Sequence, residues 1–131
     1  MALPAALEGK LRLSLIAAPM FRVSGPDLVI ASCKAGVIGS FPTANCRTVE
    51  ALDDWLGRIA AGADGGTPFA PNLIVHHTNK RLAEDTYLVV KHRAPLVIAS
   101  VGSPAPIVDR IKAYGGLVFA DIATMRHAEK A

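Results

Sequence analysis

Short apolar runs alternate along the chain with longer stretches whose apolar positions recur every three or four residues. Residues 13–17, 37–40, 69–75, 96–100 and 117–122 form the runs. They are continuous rather than alternating, as in strands of a parallel sheet covered on both faces. The stretches between them read as helices over 27–35, from Thr48 onward, over 80–92, from Ser103-Pro104 onward, and over 123–131. In the second of these, Val49, Leu52, Leu56 and Ile59 share one face. In the fourth, Ile107, Val108, Ile111 and Tyr114 are expected to point inward.

The punctuation agrees with this division. Ser24-Gly-Pro-Asp27 reads as a serine N-cap with a proline in the first turn. Gly36 stands where a helix C-terminus takes a left-handed residue. Thr48 caps the second helix, with Glu50 in its first turn. Gly62, Gly65, Gly66 and Pro68 read as a loop, residues 76–79 as a loop ending in a cap, and Gly115-Gly116 as a stop.

The order is therefore βα five times, in one α/β domain over residues 1–131. Two architectures fit. One is a partial TIM barrel, the first five units of a (β/α)8 fold that takes ~250 residues. The other is a five-stranded doubly wound sheet. Length favours the doubly wound sheet, and periodicity does not separate the two.

Composition narrows the function classes. The chain has 131 residues, of which 51% are hydrophobic, enough for one domain with a sizeable core. Its longest apolar runs fall far short of the ~20 residues of a membrane span, and residues 1–10 lack the pattern of a secretory signal. Cys33 and Cys46 make neither a metal spacing nor a disulfide framework, so a cytoplasmic location is expected. The net charge of +3 comes from scattered basic residues with no stripe or aromatic platform, which argues against a nucleic-acid partner.

Three segments carry candidate chemistry: Ile16-Ala17-Ala18-Pro19-Met20, Ala35-Gly36-Val37-Ile38-Gly39-Ser40, and Phe69-Ala70-Pro71-Asn72-Leu73. Read alone, the first is a rigid strand-to-loop bend with a core methionine. Asn72 interrupts an apolar strand, and a buried amide needs partners, which neighbouring backbone can supply. In order and spacing, however, the three segments resemble the nitronate monooxygenase family, formerly the 2-nitropropane dioxygenases. Residues 94–99 are similar to that family's fourth strand.

The resemblance implies the barrel and an FMN cofactor. It implies that Ala18, Pro19 and Met20 contact the isoalloxazine and that Asn72 hydrogen-bonds it. Together these residues are expected to line one pocket at the C-terminal ends of the strands. Ser40, His76, His77, Ser100 and Asp121 fall at the same ends and are candidates for the substrate pocket. His76 and His77 read equally as a solvent-facing pair; on an extended strand at most one would face the pocket. Gly36 and Gly39 read as structural positions at least as readily as functional ones. The family commonly has Gly-Val before the asparagine where this chain has Ala70-Pro71, so an irregular backbone is expected there.

The implied activity is oxidation of alkyl nitronates or nitroalkanes by molecular oxygen. The alternatives are a flavin-dependent NAD(P)H reductase of quinones or enoyl thioesters, and a non-catalytic doubly wound binding domain. In the family the catalytic base follows the sixth strand, and the FMN phosphate sits after the seventh and eighth. The five units read here reach neither, so no catalytic residue is assigned and the isolated chain is expected to be inactive. No metal is expected. Open barrel edges lead to an expectation of self-association.

Overall fold

Every strand pairs with its neighbour in sequence, and every pair is parallel. The computed structural model describes residues 3–63 and 66–130. Strands β1 (Ile16–Ala17), β2 (Ile38–Pro42), β3 (Phe69–Ile74), β4 (Leu96–Ser100) and β5 (Leu117–Ala120) form one sheet in the order β1-β2-β3-β4-β5. The helices between and after them are α1 (Pro26–Lys34), α2 (Val49–Gly62), α3 (Leu82–Lys91), α4 (Ala105–Lys112) and α5 (Met125–Lys130). A doubly wound sheet reverses strand order at a switch point. No reversal occurs here, so the doubly wound alternative is set aside. The chain is five β/α units of a TIM barrel.

The sheet has two unlike faces because successive side chains alternate. Phe41, Leu73, Val97 and Ala99 face the helices and pack with Val29, Leu52, Leu56, Ile59, Val89, Ile107 and Ile111. Ile38, Ala70 and Leu96 face the other way, into what would be the barrel bore, with Ile16, Ile98, Leu117 and Phe119. A 3-10 turn at Ala5–Leu7 sets the buried Leu7 against this second cluster. The bore is thus plugged from the N-terminal end, and Ile98 and Phe119 toward the other end are only half-buried.

Several expectations need correction. The first strand is two residues rather than five. Leu13 and Leu15 are exposed, because β1 is an edge with a single neighbour. Ser24 does not cap α1: Gly25 holds the N-cap position, and Ser24 is turned into the preceding loop. Gly62 closes α2 instead of opening a loop, and Gly65 lies outside the described residues, as does Ala131. Helix α3 starts two residues later than the periodicity suggests. Asn79 Oδ1 accepts from Arg81 N while its Nδ2 donates to Ile74 O, tying the entry turn to the end of β3.

Pro71 causes no bulge. The β2–β3 register runs unbroken from Gly39↔Phe69 to Pro42↔Asn72. Val75 N donates to Ser100 O, so the amides of residues 71, 73 and 75 point toward β4. Proline removes the first of these, and the β3–β4 ladder accordingly begins only at Asn72. The irregularity expected at Ala70-Pro71 reduces to one missing rung.

Candidate functional site

The loops that follow the five strands gather at one end of the sheet, the end that carries the active site in barrel enzymes. Asn72 and Ser40 share the alternation of Ala70, and Ser100 shares that of Leu96, so all three side chains stand on the bore face. Asn72 is 8% exposed. Its Nδ2 donates to Ile98 O at 3.0 Å and to Ser100 Oγ at 2.9 Å. The Ile98 carbonyl can only accept, which fixes the orientation of the amide. Both donors are therefore used. Among the described residues no donor reaches Asn72 Oδ1, and this oxygen is not sealed from solvent. The residue thus presents a free acceptor, held in place by two bonds.

Ser40 Oγ donates to Ala17 O, at the root of the loop that carries Ala18, Pro19 and Met20. This loop stands two strands from Asn72, with Ser40 on the strand between. It is shaped from two sides. Buried Ser24 accepts from Met20 N at 2.9 Å and donates to Ala18 O at 3.3 Å. Asn45, in the 3-10 turn Thr43–Asn45 after β2, donates to Met20 O and Ser24 O and accepts from Arg22 N. Met20, expected to be a core methionine if the loop were only structural, is 42% exposed.

His76 and His77 lie in a loop rather than on an extended strand, so strand alternation does not separate them. Their rings are 4.1 Å apart between centroids, and His76 Nδ1 meets Thr78 Oγ1 at 2.9 Å. Asp121 is exposed and lines a cavity of about 490 Å³ with Val101, Gly102, Ser103, Pro104 and His127. This cavity lies at the ends of β4 and β5, and neither Asn72 nor Ala18–Met20 lines it. Val101 adopts φ 61°, a conformation uncommon for any side chain and an outlier for a β-branched one. Such strain clusters at ligand sites.

Other candidates fall away. Cys33 and Cys46 are free and buried, and burial pushes the Cys46 thiol up to about 11, so neither cysteine is a ready thiolate. His92 joins Lys91 around Asp53, whose carboxyl is held below its usual range, first by the Lys91 hydrogen bond and then by His92. That cluster ties α2 to α3 on the helix side. Among the described residues no three His, Cys, Asp or Glu side chains converge as metal ligands, and no helix is long and apolar enough to cross a membrane.

Sequence reasoning did not single out Ser24 as a loop anchor, nor Asn45, Val101 or His127 as parts of this end of the sheet. Asn45 offered one signal, an amide three residues past the end of the second strand. Val101 offered none, since nothing in its neighbours announces a left-handed backbone.

No family model matches the sequence, and no curated protein matches it. Solved structures do match in fold. FabK from Thermotoga maritima superposes with a TM-score of 0.81 at 19% identity, over 95% of this chain and 38% of its own. The enoyl reductase domain of MlnA, from the macrolactin biosynthesis cluster of Bacillus amyloliquefaciens, does so with a TM-score of 0.82 at 22% identity, over 92% of this chain and 30% of its own. The chain therefore spans between three tenths and two fifths of the length of these proteins, and at such identities the likeness establishes the fold.

Proposed function

We propose that the chain is the flavin-ring-binding portion of an FMN-dependent oxidoreductase barrel. The observation that carries this reading is Asn72, a buried amide with both donors tied and its acceptor oxygen free on the bore face. An isoalloxazine edge offers an N–H donor beside carbonyl acceptors, and its faces are apolar. Asn72 Oδ1 suits the donor, Ser100 Oγ retains a hydroxyl hydrogen for an acceptor, and Met20 suits a ring face.

The flavin, when bound, supplies the electron transfer. The residues of this chain orient the ring and shield it from water on one side, with Leu7 closing the far end of the bore. On the substrate, the motif resemblance supports oxidation of alkyl nitronates by oxygen. The likeness to an enoyl reductase domain favours the second reading, NAD(P)H-dependent reduction of an enoyl thioester. In a longer polypeptide that carries this chain, incubation with FMN separates them. Anaerobic bleaching of the flavin by NAD(P)H supports the reductase, whereas oxygen uptake with a nitronate and no nicotinamide supports the oxidase.

In a longer polypeptide that carries this chain, Asn72→Ala is expected to weaken FMN binding by about 1 kcal/mol, the net worth of one neutral hydrogen bond, and by more if a buried flavin group loses its partner. A titration with unchanged affinity would remove Asn72 from the site. The 131 residues alone are expected to hold FMN weakly, to turn over no nitronate, and to self-associate. β1 and β5 each have one neighbour, and the upper bore face is only half covered. Light scattering and flavin retention after gel filtration check this; a monodisperse monomer with stoichiometric FMN and turnover contradicts it.

A further inference from the structure

We infer that Asn45 is the positioning residue of the loop between β1 and α1, fixing the apolar surface this loop presents at the C-terminal end of β1. The inference rests on the flavin reading above for the identity of the ligand, and on the loop geometry alone for the clamp.

The loop has reason to need a clamp. Phe21 is 61% exposed, and with Met20 and Val23 it forms an apolar tip that solvent does not favour. Arg22 adopts φ 62°, a left-handed backbone that side chains rarely take without support. One side chain supplies that support. Asn45 Oδ1 accepts from Arg22 N at 2.8 Å, the amide of the strained residue itself. Its Nδ2 donates to Met20 O at 3.1 Å and to Ser24 O at 2.9 Å. An asparagine amide has one acceptor group and two donors, and all are spent within a five-residue span. Ser24 works from beneath the same span, through Met20 N and Ala18 O. Asn45 itself stands on the next β/α unit, so it ties the ends of β1 and β2 together. Held so, Met20 and Phe21 keep one arrangement before any ligand arrives, which spares the ligand the cost of ordering them.

Two variants test this, Asn45→Ala and Asn45→Asp. Alanine removes all three bonds. Aspartate keeps the acceptor for Arg22 N and turns a carboxylate oxygen on two carbonyls. Trypsin cleaves backbone that is locally unfolded: after Arg22 when the loop opens, but after Arg58 and Lys91 only when α2 and α3 unfold. In both variants cleavage after Arg22 should rise about tenfold, within what the loss of one to two net hydrogen bonds gives, while cleavage after Arg58 and Lys91 stays at the unsubstituted rate. Unchanged cleavage after Arg22, or parallel acceleration at all three sites, overturns the clamp.

The second arm is an FMN titration followed by fluorescence and by the shape of the flavin's visible band, which reports the surroundings of the ring. Weaker binding with an altered band is expected in both variants. An open loop with unchanged affinity and band overturns the positioning role. If the unsubstituted chain and a longer polypeptide carrying it both fail to bind FMN, the flavin reading falls, and the cleavage arm still decides the clamp.

Discussion

Gly39→Ala is expected to destabilise the chain by about 3 kcal/mol, in the range of severe overpacking. A Cβ built on Gly39 lies 2.4 Å from Val29 O and 2.9 Å from Val29 C and Cα. These are backbone atoms of α1, and no rotamer change relieves the contact. Val29 is fully buried, and Gly39 is locked in register between Ala17 and Phe69. Either helix or strand must move, and each is packed on its other side. For a chain of this size the loss corresponds to a drop in Tm of roughly 10 °C. Gly57→Ala is the matching control. Its Cβ would meet only His92 Cε1 at 3.6 Å, an ordinary contact. In the interior of α2 the exchange should gain stability, up to ~1 kcal/mol from helix propensity. Equal melting temperatures for the two variants would mean that α1 does not approach β2 backbone to backbone.

Asp85→Ala is expected to cost about 2 kcal/mol. The Asp85 side chain is 4% exposed, and its carboxylate takes Arg81 Nη2 at 2.8 Å. Arg81 Nη1 donates to Cys46 O at 2.7 Å, and its Nε is buried with no partner among the described residues. Removing the carboxylate leaves a guanidinium that has already given up most of its water and keeps one carbonyl. Breaking a fully buried pair costs ~3–5 kcal/mol. The Arg81 side chain remains 30% exposed, so solvent recovers part of that. Combining D85A with R81M removes the stranded charge, and the double variant should be more stable than the sum of the two losses predicts, by on the order of 1 kcal/mol. Strict additivity in denaturant unfolding would show that the pair does not act as a unit. Because Arg81 holds the carbonyl of Cys46, next to Asn45, this pair also braces the segment that clamps the β1–α1 loop.

Much of the architecture was legible in the chain. Five apolar runs became five strands. The face of Val49, Leu52, Leu56 and Ile59 became the core side of α2, and Thr48 caps that helix through Ala51 N. These features are local: a strand or an amphipathic helix is specified by residues within one or two turns of each other, so the sequence displays them directly. Ends were less secure. Ser24 has the chemistry of a cap, yet a hydroxyl bonds whichever partners come within reach, and the folded loop brought Met20 N and Ala18 O closer. Pro71 looked like a break because a missing amide is a local fact, while the cost of one rung is set by the strand beside it.

What the amino-acid sequence determined by itself was the number, type and order of elements and the presence of Asn72 within an apolar strand. What only the tertiary structure decided was the sequential strand order that makes a partial barrel, the burial of Asn72 with its oxygen left free, the close approach at Gly39, and the convergence of Asn45 and Ser24 on one loop. The physical reason is range. Secondary structure follows from neighbours in the chain, whereas strand order and the partners of a polar group depend on residues 20 or more positions away. Asn45 and Met20 are 25 apart and Asn72 and Ser100 are 28 apart, and only the fold brings each pair within hydrogen-bond distance.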